Sequence, residues 1–326
     1  MGEVTAVIPN WNGGEMLARV LEDLVRQSLM PRRVIVVDNA STDGSADLAR
    51  SRGAEVLAQT TNTGFARAVN LGISQARTPY VAILNNDVEL AADWLETLLQ
   101  VLEQDTSLWF ATGKIYRAGG KDYLDGSFDA ISRGGCAWRC GHGRKDGPVW
   151  NRPRRIHLAP FTAILFRRAS FERAGLLDEQ FESYLEDVDF GLRCARAGLE
   201  GQYEPRAVAY HWGSATLGEW NRETVRRMAR NRVFLLAKHF PRDWQLRFGW
   251  PVMAGHLLWC LVAARHGRGL ACLRGIWEGV CKYGAIRHQN PAEDISCMLE
   301  ASEATIRELQ RAEKVDWYWK LYFALT

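Results

Sequence analysis

The sequence predicts an α/β protein with a mainly parallel central sheet flanked by helices and a helical extension at its C-terminal end. Three observations carry that reading. Short β-branched runs alternate with helical patterns through the first third of the chain, and polar residues gather where those runs stop. From about Asn221 the pattern turns helical and rich in tryptophan. With 326 residues the chain can hold one large domain and an appendage, or two domains. We place an α/β domain at residues 1–216 and a helical region at 217–326.

Bulk composition narrows the class. Hydrophobic residues make up 47% and charged residues 24%, an ordinary globular mixture that argues against general disorder. A formal net charge of +3 gives no ground for expecting nucleic acid as a partner. The 7 cysteines are an odd set in a long chain and point to reduced thiols in the cytoplasm. Cys136, Cys140 and His142 in GGCAWRCGHG have no second Cys pair beside them, so loop thiols are expected there rather than zinc. The N-terminus runs directly into VTAVIP, without the basic stretch and cleavage site of a signal peptide. The most apolar run, Gly249 to Ala264, is shorter than the ~20 residues that a membrane-spanning helix needs.

Each element follows from its local pattern. VTAVIP (Val4 to Pro9) and RVIVVDNAS (Arg33 to Ser41) are continuous β-branched runs, as expected of strands buried on both faces. Between them Met16, Leu17, Val20, Leu21, Leu24 and Val25 recur at helical spacing. STDGSADLARSRG supplies capping residues and a short helix, AEVLAQ a strand, GFARAVNLGISQAR a helix and PYVAILNNDVEL another strand. Such alternation implies crossover connections and a parallel sheet. From about Ser107 to Pro160 the pattern loosens into loops and short antiparallel strands, after which LAPFTAILFRRASFERAG restores a strand and a short helix. NRETVRRMARNRVFLLAKHFP is helical, with Arg222, Arg226 and Arg230 aligned four apart. The chain has no internal repeat and no low-complexity tract.

Ligands of parallel sheets collect at the carboxyl ends of the strands. Asn10, Asn12, Asp38, Asn39, Asn85, Asn86 and Asp87 all fall at such ends. In ILNNDVEL a carboxylate flanked by amides suits Mg2+ or Mn2+, which take few carboxylates and leave positions for phosphate oxygens. An Asx-rich turn is the structural alternative. Asp38 has the chemistry to accept hydrogen bonds from a nucleobase or ribose, or to cap a helix, as Ser41 and Asp43 also do. TNTGFARAVNLG carries neither the dinucleotide nor the P-loop glycine fingerprint, so a phosphate would be held by a metal ion and a cation such as Arg67.

SYLEDVDFGLRCARAG crowds Glu186, Asp187 and Asp189 together, and acids that close raise one another's proton affinity. Leu185, Val188, Leu192 and Ala195 mark an amphipathic helix that ends near Gly198. Asp189 and Arg193 stand four apart and are expected to pair on its surface. Glu186 and Asp187 lie in the first turn, where the helix dipole favours negative charge by ~0.3–1 kcal/mol. No cation lies three or four residues from Asp187, so the helix does not readily account for that acid. His211 closes the apolar run before HWGSAT, either as a structural histidine or as a neutral imidazole ligand.

As an ordered set, VIPNWNGGEML, VVDNASTDGS, NTGFARAVNLG, LNNDVEL, LDEQFESYLEDVDFGLRCARAG and AYHWGSAT resemble the inverting family 2 glycosyltransferases, which have the GT-A fold. Among these the bacterial rhamnosyltransferase-type enzymes are the most similar. Each segment is weak alone and the set, spanning roughly residues 4 to 216, is specific. The resemblance implies a nucleotide-sugar donor, dTDP-L-rhamnose first and a UDP-hexose second. It also implies a cell-surface glycan or polyprenyl-linked acceptor. Pro9, Asn10, Asn12 and Asp38 would line the nucleoside pocket, with Asn39, Gly64, Arg67 and Asn86 completing the donor site. Asn86 and Asp87 fall on the family's metal-binding D-x-D element, and Asn85 stands where that element can carry Asp, a departure expected to weaken metal affinity. Asp87 is implied as the acid that holds Mg2+ or Mn2+, His211 as a further metal ligand, Asp187 as the catalytic base and Glu186 as a residue holding the acceptor.

Two other readings fit less well. A nucleotidyltransferase on a similar sheet would show a Gly-rich, basic loop after its first strand, and IPNWNGGEML has no Lys or Arg before Arg19. A glycan-binding relative that has lost catalysis would not be expected to keep both Asp87 and Asp187. The basic helix and the Trp-rich tail suit peripheral attachment at the inner face of the cell membrane. A helical cap burying Trp250, Trp259 and Trp277 is the alternative, and on sequence it is preferred.

Overall fold

The computed structural model describes residues 2–119, 122–213, 220–289 and 295–326. The end of AYHWGSAT and the domain boundary at 216 lie outside the described residues. The chain divides into two compact units, residues 1–128 with 141–216, and residues 129–140 with 217–326. The short segment 129–140 thus groups with the C-terminal helices, whereas its sequence position had put it with the sheet.

In the first unit the elements begin with β1 (Gly2–Asn10), α1 (Gly14–Val25), β2 (Pro31–Asp38), α2 (Ser45–Ser51), β3 (Glu55–Ala58), α3 (Phe65–Gln75) and β4 (Tyr80–Leu84). Next come β5 (Val88–Leu90), α4 (Trp94–Gln104), β6 (Leu108–Arg117) and β7 (Leu124–Gly126). The strands β8 (Asp129–Ile131) and β9 (Ala137–Arg139) form a hairpin in the second unit. β10 (Arg154–Ile156), β11 (Ala163–Arg167), α5 (Ala169–Ala174), α6 (Glu186–Arg196) and β12 (Glu200–His211) complete the first.

The strand order is β10-β12-β6-β11-β4-β1-β2-β3, with β5 added to β12 and β7 to β6. β3, β2, β1 and β4 run parallel, β11 is antiparallel to both β4 and β6, and β12 is parallel to β6. The result is a mixed sheet whose N-terminal half is wholly parallel. Val4, Val7 and Ile8 on β1 and Ile35, Val36 and Val37 on β2 are fully buried, which is why those strands read as unbroken β-branched runs. α1 turns Leu17, Val20, Leu21 and Leu24 of the predicted stripe onto the sheet, whereas Val25, also counted in that stripe, is exposed at the end of the helix.

Two stretches differ from the expectation. PYVAILNNDVEL is two strands rather than one, with Asn85, Asn86 and Asp87 forming the turn between β4 and β5. The region after Ser107 opens with β6, a 10-residue strand, and not with loops. Its pattern is obscured by a buried Lys114, whose ammonium is held by Asp146 at 2.9 Å and by Asn151.

The second unit contains α7 (Arg222–His239), α8 (Trp244–Arg265), α9 (Gly269–Gln289), α10 (Ser296–Ala312) and α11 (Trp317–Leu325). α9 lies close against α7 because Gly275 and Gly279 face it: a Cβ on either would collide with Arg226 O or Val233 Cβ. The β8–β9 hairpin is tied to α10 and α11. Glu303 accepts from Arg133 Nη2 at 2.9 Å and from the Tyr322 hydroxyl at 3.0 Å, while that hydroxyl accepts from Gly134 N at 2.9 Å.

The basic helix and the cap both come out differently from the sequence reading. α7 is not a surface stripe: Arg230 and Arg232 are buried, and Arg226 is clasped by Glu223 and Glu278. Of the three tryptophans expected inside, only Trp259 packs inward, beside Trp220 and under Arg232. Trp250 is 53% exposed and Trp277 69% exposed. Packing through its glycine face sends Trp277 to the far side of α9. α8 runs 22 residues, longer than the apolar run alone, and by length and composition it is long and apolar enough to cross a membrane.

Candidate functional site

Three strand ends are stitched together by side chains. Asn10 closes β1, and its Nδ2 donates to Asp38 Oδ1 at the end of β2 (2.9 Å) and to Ser45 Oγ (2.8 Å). Asn86, in the turn after β4, donates back to Asn10 Oδ1 at 2.9 Å. Asp38 is almost completely buried, and its second oxygen accepts Ser41 N at 3.1 Å. Asp38 is not the helix cap, because Gly44 occupies the N-cap of α2 and Asp43 accepts Ser45 N at 3.0 Å. Its carboxylate braces the loop, and each oxygen keeps a lone pair for a ligand.

The flanking candidates sit around this bridge. Pro9 pairs with Val37 beyond the point where β4 stops pairing with β1, so its missing N–H costs no ladder bond on that side. Asn12 accepts Thr42 N at 2.9 Å through Oδ1 and donates its own N–H to Ser41 Oγ at 2.9 Å. Asn39 receives the Thr63 hydroxyl at 3.1 Å and donates to Gly64 O at 3.3 Å. Gly64 has φ +85° and a Cβ there would lie 3.0 Å from Glu182 O, so the start of α3 can press against the acidic loop. That contact is sealed by Ala66 N donating to Glu182 O at 3.0 Å and Phe65 N to Ser183 Oγ at 3.3 Å. Arg67 is apart from the network, on the surface and 4.0 Å from Glu179.

A second cluster lies where β5, β12, β6 and β7 pair in that order. His211 Nε2 is 3.1 Å from Asp87 Oδ1, and its Nδ1 is 2.9 Å from Asp125 Oδ2. Asn85 Nδ2 lies 3.4 Å from the same Nε2. Burial alone would depress the imidazole pKa. The hydrogen bonds to Asp125 and Asp87 outweigh it and lift the group to about 9. Asp125 is the residue that sequence reading missed. Nothing in YLDGSFD announces it, and it meets His211 from 86 positions away.

Asp87 and His211 offer one carboxylate and one imidazole to a divalent ion. An imidazole whose other nitrogen is fixed by a carboxylate is how metal-binding histidines are usually oriented, and Asp125 does that here. Among the described residues no group of three or more His, Cys, Asp and Glu side chains converges on a metal position. Asp87 and His211 would therefore supply a partial set, leaving positions for phosphate oxygens and water, as Mg2+ and Mn2+ prefer. Cys136 and His142 have other partners: Cys136 accepts the Tyr318 hydroxyl at 3.0 Å, and His142 Nδ1 meets Asp125 O at 2.9 Å.

The acidic helix α6 separates its three acids by burial. Asp189 is fully buried and paired with Arg193 at 3.0 Å, so this pair is internal rather than on the surface as expected. The cause is that α5 closes over it, with Arg193 also donating to Ala174 O and lying 5.1 Å from the Phe190 ring centre. Glu186 is 6% exposed. Asp187 is the partly exposed member, in the first turn, accepting Val188 N at 2.8 Å.

Backbone strain marks the same places. Among the described residues, the non-glycine residues with positive φ are Asn12, Ala40, Glu182, Tyr184 and Leu185. They lie in the β1–α1 loop, the β2–α2 loop and the approach to α6, each bordering the candidate residues. Such conformations cost about 1–3 kcal/mol each and persist where surrounding contacts impose them, commonly at functional sites.

The fold is of the GT-A type found in solved glycosyltransferases. Similar solved structures include GalNAc-T7 with UDP, GalNAc and Mn2+, at a TM-score of 0.60 and 15% identity over 78% of this chain and 50% of that one. Another is the mannosyltransferase PcManGT of Pyrobaculum calidifontis with GDP-Man and Mn2+, at a TM-score of 0.54 and 16% identity over 99% and 86%. Residues 5–175 match the family model for Glycosyl transferase family 2, and the chain belongs to that family. Asp187 and His211 lie beyond the matched segment. A relative from Mycobacterium tuberculosis, N-acetylglucosaminyl-diphospho-decaprenol L-rhamnosyltransferase, is 28% identical over 78% of this chain and 94% of its own length. The pre-mycofactocin glycosyltransferase of the same organism is 32% identical over 67% of this chain and 44% of its own length.

Proposed function

We propose that this transferase moves a sugar, with inversion, from a nucleotide-sugar donor to a hydroxyl of a cell-surface glycan or a polyprenyl-linked acceptor. L-Rhamnose from dTDP-rhamnose is the leading donor, supported by the rhamnosyltransferase relative that shares most of its length with this chain. A UDP-hexose is the second reading, favoured by the fold neighbour that holds UDP. The carrying observation is Asp187: one partly exposed acid among three, on a helix whose leading loop is bonded to the start of α3 beside the donor-side residues.

Inversion is a single in-line displacement. Asp187 takes the proton from the acceptor hydroxyl as its oxygen attacks C1, and the nucleoside diphosphate departs from the opposite face. Glu186, nearly buried next to it, shapes the acceptor side from behind. Asn10, Asn12, Asp38 and Asn39 hold the nucleoside, with Pro9 and Gly64 giving the walls, Asn86 bracing the bridge and Arg67, exposed in the first turn of α3, left for a donor phosphate. Asp87 and His211 would hold Mg2+ or Mn2+, which when bound neutralises charge on the leaving diphosphate. We place the enzyme in the cytoplasm, with the helical unit at the inner face of the cell membrane where a lipid-linked acceptor would be found.

Incubation with a panel of dTDP- and UDP-sugars and Mn2+ or Mg2+ tests this reading. Release of nucleoside diphosphate with dTDP-rhamnose, and an inverted anomeric product by NMR, is the expected result. No transfer or hydrolysis with any donor, together with tight glycan binding, would sink it in favour of a binding protein.

A further inference from the structure

We propose that the outward face of the α8–α9 hairpin is a docking surface for an anionic lipid bilayer, and that it lies among the headgroups rather than crossing. The proposal rests on the membrane placement above and names the face, the depth and the lipid charge.

On α8, Leu246, Trp250, Met253, Leu257 and Leu261 are each at least 50% exposed. Their steps of four, three, four and four residues put them on one line along the helix. On α9, Leu270, Leu273, Trp277 and Val280 are each at least 53% exposed and follow steps of three, four and three. The opposite sides of both helices are already used. Phe248, Val252, Gly255 and Leu258 are buried on α8, as are Cys272, Gly275 and Gly279 on α9. The outward lines therefore await nothing from their own unit, and apolar surface of this extent is unusual on a soluble monomer.

Charge selects the occupant. The two helices and their turn carry Arg247, Arg265, Arg268, Arg274, Lys282 and Arg287 against a single acid, Glu278, which is bonded to Arg226 and Arg274; Arg268 and Arg287 donate to backbone carbonyls of their own unit, and Arg247, Arg265, Arg274 and Lys282 are the exposed cations. Between Phe248 and Ala264 no Lys, Arg, Asp or Glu interrupts the apolar line. An apolar stripe hemmed by cations matches an anionic headgroup layer over acyl chains. A second copy docked face to face would set cation against cation instead. Trp250 adds to the match, because its indole N–H is satisfied by Leu325 O at 2.6 Å while its ring stays half outside.

Depth follows from packing. α8 has Pro251 in its first half, and 33% of its most apolar window is buried inside the unit. A helix that spends one side on its own protein and keeps one apolar line outward lies in the interface plane.

Vesicle flotation of the full chain tests this, using phosphatidylcholine vesicles with and without phosphatidylglycerol. The wild type is expected to float only with the anionic vesicles, and less at high salt. The exposed-site variants Leu257→Glu with Trp277→Glu, and Arg265→Glu with Lys282→Glu, are each expected to reduce the floated fraction at least about tenfold. Far-UV circular dichroism and thermal-shift binding of nucleoside diphosphate should stay unchanged in both, so that loss of docking is separated from loss of fold or of the donor site. A wild type that does not float with anionic vesicles, or variants that float as well as it does, would overturn the proposal. So would variants that turn a stable dimer into a monomer on size exclusion while still floating, because the face would then be a subunit contact.

Discussion

The sheet unit and the helical unit are built from similarly apolar sequence and dispose of it in opposite ways. β1 and β2 are the most apolar runs of the first unit and are sealed, with Val7, Ile8, Val36 and Val37 at 0% exposure. α8 carries the most apolar run of the second unit and leaves Leu257 and Leu261 more than half exposed. Helices on both faces of a sheet bury whatever its strands carry. A helix that packs through one side leaves the other to solvent or to a partner. Acids diverge likewise: the sheet unit concentrates Asp38, Asp87, Asp125, Asp187 and Asp189 about strand ends and one helix, where neighbours hold them individually.

Substitutions sharpen that contrast. The largest effect is expected from Asp187→Asn, which should lower kcat by about 10²–10⁴-fold while leaving nucleotide binding and stability near wild type; an active variant would remove Asp187 from the role of base. Asp189→Ala, two positions on, should instead act on the fold. Stranding Arg193 beside Phe190 is expected to cost about 3–5 kcal/mol in urea unfolding, and a value under 1 would show the pair to be a surface one after all.

Asp125→Ala removes the acceptor that fixes the ring of His211 at Nδ1, so Mn2+ affinity by calorimetry should fall about 10–100-fold. Equal affinity would mean that His211 needs no positioning, or that the ion sits elsewhere. The smallest effect belongs to the helical unit. Leu261→Ser should change stability by no more than about 0.5 kcal/mol, whereas Leu98→Ala, buried against the sheet, should cost about 2–5 kcal/mol. If the two losses were alike, the outward face of α8 would be part of a core.

Local periodicity made the parallel half of the sheet legible, because a buried strand and an amphipathic helix each write their environment into adjacent residues. Strand ends are likewise visible, and so Asn10, Asp38 and Asn86 stand out in the sequence although the bridge that joins them does not. Leu108–Arg117 escaped because a buried lysine with its own carboxylate looks polar in sequence. The Asp189–Arg193 spacing showed a pair but not its burial, which depends on α5 closing over it.

The sequence by itself therefore determined the fold class, the strands and helices of the parallel half of the sheet, and the residue types offered at its strand ends. These are properties of neighbours along the chain, set by side-chain size, branching and periodicity. Only the tertiary structure decided that Asp125 stands behind His211 and that Gly64 is pressed against Glu182. It also decided that Trp250 and Trp277 face outward. Each of those depends on two segments meeting, and nothing in either segment alone encodes which surface the other will cover.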